Sequence, residues 1–108
     1  MAEIKEYADY QEARKKRNRA AEFAADLLDN GHKLHSVRVV VLKEAPDGER
    51  SSSVEFNAGL ELAITESFAA SARRAIQQLT ADQNAKGQAA KKALNDIANE
   101  IKGGGGGA

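Results

Sequence analysis

Along residues 54–64 every even position is apolar (Val54, Phe56, Ala58, Leu60, Leu62, Ile64), while the odd positions read Glu, Asn, Gly, Glu, Ala. Strict alternation predicts a half-buried strand. Yet Leu60, Ile64 and Phe68 are spaced four apart, which predicts a helix face. On a helix, Leu60, Ile64, Phe68, Ala72, Ala75, Ile76 and Leu79 share an arc of about 160°. The favoured reading therefore ends a strand at Asn57, which caps a helix over residues 58–80. The competing reading makes residues 57–59 a tight turn and residues 60–65 a third strand. The helix places more residues, but it sets Glu61 in its apolar arc and leaves Leu62 off it. Leu62 is thus expected at a helix–helix or subunit contact.

The other elements follow from the same patterning. Residues 2–30 form one long helix: good helix formers dominate, Pro and Gly are absent, and Asn30-Gly31 supplies the stop. Acidic residues gather at its start, as the helix dipole favours. Its stripe of Tyr10, Ala13, Arg17, Ala20, Ala24 and Leu27 is apolar but for Arg17. Residues 33–44 predict a strand with Val37, Val39 and Val41 on one face and Arg38, Val40 and Leu42 on the other. Ala45-Pro46-Asp47-Gly48 is a turn signal, and residues 50–57 would return. A last helix is expected over residues 82–102, with Ala90, Leu94, Ile97 and Ile101 as a narrow seam. Gly87 weakens it by about 1 kcal/mol relative to Ala. The chain would form one α+β domain over residues 1–102, with residues 103–108 as a flexible Gly-rich tail.

Composition changes this picture in one respect. Of the 42% of residues that are hydrophobic, many are Ala, and only three Phe, two Tyr and no Trp are present. Such a core buries little area, so self-association is expected as a second source of burial. An isolated hairpin is itself marginal and its edges invite a second copy. The hairpin is therefore expected to be completed by oligomerisation. The sixteen basic and sixteen acidic residues cancel, so global charge demands neither nucleic acid nor membrane. With no Cys there is no disulfide or thiolate metal site. No apolar run approaches a membrane span, and a cytoplasmic location is the default expectation.

Candidate chemistry is sparse. Arg14, Lys15, Lys16, Arg17 and Arg19 put five cations into six residues, a pattern suited to phosphate on nucleic acid or a nucleotide. The same charges on a helix rich in Glu and Asp also fit a solvated face. The phrase KKRNRAA is similar to the basic region of leucine-zipper proteins. Asn18, however, stands one residue too near the alanines, and Gly31 ends the helix before any leucine heptad, so no family is assigned. Arg38 interrupts a Val-rich strand and would pair with a carboxylate or anion unless its face is wet. His32 and His35 point to opposite faces of a strand and do not form a metal site. No nucleophile elbow, P-loop or dinucleotide fingerprint is present. No cofactor, metal or enzymatic activity is expected. The leading expectation is a small non-enzymatic homo-oligomeric interaction protein, such as a phage or bacterial accessory factor that binds or inhibits a protein partner. Its contact residues would be Tyr7, Tyr10, Val37, Val39, Val41, Leu62, Leu94, Ile97 and Ile101. The alternative is nucleic-acid or nucleotide binding through residues 14–19, with Arg38.

Overall fold

The computed structural model describes residues 4–106, so residues 2–3 of the expected first helix and 107–108 of the expected tail lie outside it. Among the described residues the elements are three helices and a small antiparallel hairpin: α1 (Lys5–Leu28), β1 (Lys43–Glu44), β2 (Arg50–Ser51), α2 (Val54–Glu66) and α3 (Phe68–Gly106). This is an α+β arrangement with the element types in the order the sequence implies.

α1 ends as expected. Gly31 takes φ of 78°, and the amides of Asn30 and His32 close on the carbonyls of Ala25 and Asp26. The turn after β1 also matches its residues. The Gly48 amide donates to the Ala45 carbonyl at 2.8 Å, and Gly48 takes φ of 91°, which a residue with a Cβ rarely adopts. Asp47 accepts from the Glu49 amide at 2.9 Å and fixes the exit.

The strands are much shorter than residues 33–44 and 50–57. Only Lys43 with Ser51 and Glu44 with Arg50 pair. The return strand stops because Ser53, not Asn57, caps the next helix: its hydroxyl accepts the Phe56 amide at 3.2 Å. Residues 58–65 are helical, so no third strand forms. The break between the second and third helices falls at Ser67 rather than near residue 81. With good helix formers and no Pro around Thr80, nothing there stops a helix, and α3 runs continuously to Gly106, past Lys102.

α1 and α3 pack antiparallel. Arg17 meets Thr80 and Tyr10 meets Gly87, so each advance along α1 matches an equal retreat along α3. The stripe from Tyr10 to Leu27 faces this contact, and all its members are buried or half-buried. Gly87 is there for space: a Cβ would stand 3.2 and 3.3 Å from the Tyr10 ring. Because α3 is the longer helix, it runs on beyond the start of α1, carrying Ile97 and Ile101 with it.

The burial this achieves is small. Among the described residues only Ala13 and Ala90 are buried apolar residues, each 4% exposed. The radius of gyration is 20.8 Å, against about 13 Å for a compact domain of this length. The accessible surface is 8809 Å², against about 5,800 Å² for a folded monomer of this mass.

Candidate interaction surface

The site is built from residues 37–51 and α2. Because Ala45 donates to the Glu49 carbonyl and Lys43 pairs with Ser51, the odd residues turn their main-chain groups inward. Upstream of Lys43 the return strand has ended, and α2 takes its place. The Val41 amide donates to Asn57 Oδ1 at 3.1 Å and the Val39 amide to Glu61 Oε1 at 2.8 Å. Four residues of helix rise about 6 Å, and two residues of extended chain span about 6.6–6.8 Å. An i, i+4 pair on a helix can therefore hold alternate amides of an extended segment. Asn57 and Glu61 do so, which explains a carboxylate in the otherwise apolar arc of α2.

The side chains follow the same alternation. Val37, Val39 and Val41 are half-buried, while Arg38, Val40 and Leu42 are exposed. Arg38 is exposed, and among the described residues it makes no salt bridge or side-chain hydrogen bond.

α2 carries two apolar stripes. Successive even positions are turned by 200°, so they fall alternately on opposite sides of the helix. Phe56, Leu60 and Ile64 form one stripe, of which Leu60 and Ile64 are half-buried. Val54, Ala58 and Leu62 form the other, and all three are exposed. Leu62 is 61% exposed, so no contact among the described residues buries it. Val54 and Ala58 share a groove with Arg38, Val39 and Val40.

Elsewhere, Tyr7 and Tyr10 lie 6.4 Å apart over α3, where they line a groove of about 550 Å³ with Gly87 and Leu94. Leu94, Ile97 and Ile101 are all exposed, so the expected seam is an open face beyond Ala90. The basic cluster divides. Arg14, Lys15, Lys16 and Arg19 are exposed, but Arg17 enters the α1–α3 contact and donates to Thr80 Oγ1 at 3.1 Å. Lys16 and Arg19 border an apolar groove of about 550 Å³ that contains the exposed Phe23. His35 Nδ1 lies 3.2 Å from Ser36 Oγ, and both histidines are exposed. Among the described residues no group of His, Asp and Glu could hold a metal, and no helix is long and apolar enough to cross a membrane.

Sequence reasoning missed Asn57 and Glu61 as supports for the 37–42 segment, and Val40, Leu42, Val54 and Phe56 as exposed apolar residues. A signal for the first was present: an apolar face broken by an i, i+4 pair of hydrogen-bond acceptors. No family model matches the chain, and no curated protein or solved structure is similar to it at a significant level.

Proposed function

We propose that the chain is a small, non-enzymatic, homo-oligomeric interaction protein that acts by binding or assembly, as an accessory factor for a protein partner would. The observation that carries this reading is the mismatch between burial and exposure. Two buried alanines and otherwise half-buried helix contacts give a thin margin over the entropy of ordering a chain of this length. Meanwhile Val40, Leu42, Val54, Phe56, Leu62 and Ile101 stand in water. A stable interface removes about 800 Å² from each partner, well within the surplus surface of this protomer. Oligomerisation that completes the two-stranded hairpin belongs to the same reading, since such a ribbon is marginal alone.

Sedimentation equilibrium from nanomolar to high micromolar concentration tests the self-association. A mass above the 11.5 kDa of one chain at micromolar concentration is the expected result. A single 11.5 kDa species throughout overturns the reading. A second reading, nucleic-acid or nucleotide binding, rests on the four exposed cations among residues 14–19 and on Phe23 beside Lys16 and Arg19, since basic and aromatic groups together suit a single strand. It requires binding to an oligonucleotide that weakens steeply with salt and is lost when Arg14, Lys15, Lys16 and Arg19 are changed to Ala.

A further inference from the structure

Resting on the homo-oligomer reading, we infer that the free edge of residues 38–44 pairs antiparallel with the same edge of a second copy, joining two hairpins into a four-stranded sheet. The odd residues of this segment turn their amides inward: Val39 and Val41 donate to α2, and Lys43 pairs with Ser51 on β2. The even residues therefore point theirs to the opposite edge, and among the described residues the amides of Arg38, Val40 and Leu42 find no acceptor. Val40 and Leu42 are also 74% and 63% exposed, so the described residues leave this segment largely open. A free edge with β-branched residues and neither a bulge nor a Pro before Pro46 is a template for another strand.

The identity of that strand follows from its sequence. A two-fold axis at Val41 places Arg38 opposite Glu44 of the second copy and Val40 opposite its Leu42. Both pairs occur twice, and both use the even residues, whose main-chain groups the β1–β2 register turns to the open edge. Opposite charges and paired apolar residues each favour such a ladder. Glu44 already accepts Arg50 Nε at 3.4 Å on the adjoining strand, so Arg50, Glu44 and the second Arg38 would form one alternating row across the sheet. The neighbouring registers lose this match. Shifted one way, Arg38 faces Leu42; shifted the other, Glu44 faces Val40 and Arg38 faces Pro46, which has no amide to give. The edge is complementary to itself in one register.

The test uses charge reversal and amide exchange on the full chain. R38E and E44R should each weaken self-association about tenfold or more, and the triple variant R38E/E44R/R50E, which reverses the whole row and keeps residues 44 and 50 oppositely charged, should restore it. V40P should weaken it at least as much, because it deletes an inter-strand donor in each copy while removing no bond the protomer makes. All four residues involved are exposed, so helical circular dichroism should not change. In the wild type, dilution should release the Val40 and Leu42 amides to exchange while those of Val39 and Val41, bound to α2, stay slow. An oligomer whose affinity is unmoved by V40P and by both single reversals overturns the edge pairing yet leaves the homo-oligomer standing. A chain that is monomeric at every concentration overturns both.

Discussion

Replacing Glu61 by Ala probes the contact on which the candidate surface depends. The substitution adds no bulk and keeps a good helix former in α2, so what it removes is the acceptor for the Val39 amide at 2.8 Å. A hydrogen bond to an ionised acceptor contributes about 1.5–3 kcal/mol when well shielded. Glu61 is only half-buried, so solvent competes and about 1–2 kcal/mol is the appropriate size. That corresponds to amide exchange at Val39 roughly 5- to 30-fold faster if the segment opens locally. Glu61→Gln retains a carbonyl oxygen at the same reach and should recover much of the protection. Asn57→Ala removes the neutral acceptor of Val41, and about 0.5–1.5 kcal/mol gives exchange there roughly 2- to 12-fold faster. Residue-resolved hydrogen exchange by NMR reads both amides separately, and neither lies on the edge offered to a second copy. Unchanged protection at Val39 in Glu61→Ala would show that α2 does not hold the segment, and equal acceleration in the Ala and Gln variants would show that the acceptor is not the cause.

Other substitutions test the remaining contacts. Gly87→Ala should show opposite signs in two backgrounds: it gains about 1 kcal/mol of helix propensity when Tyr10 is Ala, but in the wild type the new Cβ crowds the ring and cancels or reverses that gain in thermal unfolding. Ser53→Ala should lower stability by about 1 kcal/mol through loss of the α2 cap, read as a lower midpoint in urea. Arg17→Met should lie within about 1 kcal/mol of wild type while Arg17→Ala falls further, because the stem of Arg17 packs between the helices and its bond to Thr80 is only partly buried. Leu62→Gln should leave the circular dichroism spectrum unchanged and reduce self-association, whereas Leu60→Gln, on the half-buried stripe, should destabilise the fold; the reverse outcome would refute the assignment of the two faces.

The sequence carried the order and type of the elements because each depends on local chemistry. Gly31 and Gly48 mark positive φ wherever they occur, and the α1 stripe declares its buried side through spacing alone. Boundaries were less legible because they depend on competition between signals. Asn57 and Ser53 are both good caps, and Ser53 wins; the side chain of Asn57 then turns to Val41. The Val-rich segment 37–42 has every local property of a strand, and it is extended. It lacks only a neighbouring strand, and whether one exists is not a local property. The basic cluster shows the same limit. Spacing put Arg17 on the apolar stripe and charge put it in the cation group, and packing against Thr80 decided for the stripe.

The alternation over residues 54–64 therefore does not simply fail as a strand signal. A helix that buries one side carries apolar residues three and four apart, with polar residues opposite. Period two on a helix instead produces two apolar sides, each advancing by four residues and turned roughly 160–200° from the other. One of these, through Leu60 and Ile64, is half-buried in the protomer, and the other, through Val54 and Leu62, is in water. Polar residues on the second stripe would be better for solubility, and under the proposed self-association that stripe is available for contact. The same reasoning holds for residues 38–44, where the amides of Val39 and Val41 are bonded to α2 and, among the described residues, those of Arg38, Val40 and Leu42 have no acceptor. In both elements the half of the pattern that folding uses and the half it leaves open are interleaved residue by residue. The surplus surface of the protomer is thus the remainder of the same periodicities that fold it, and that is the arrangement expected where association completes the fold.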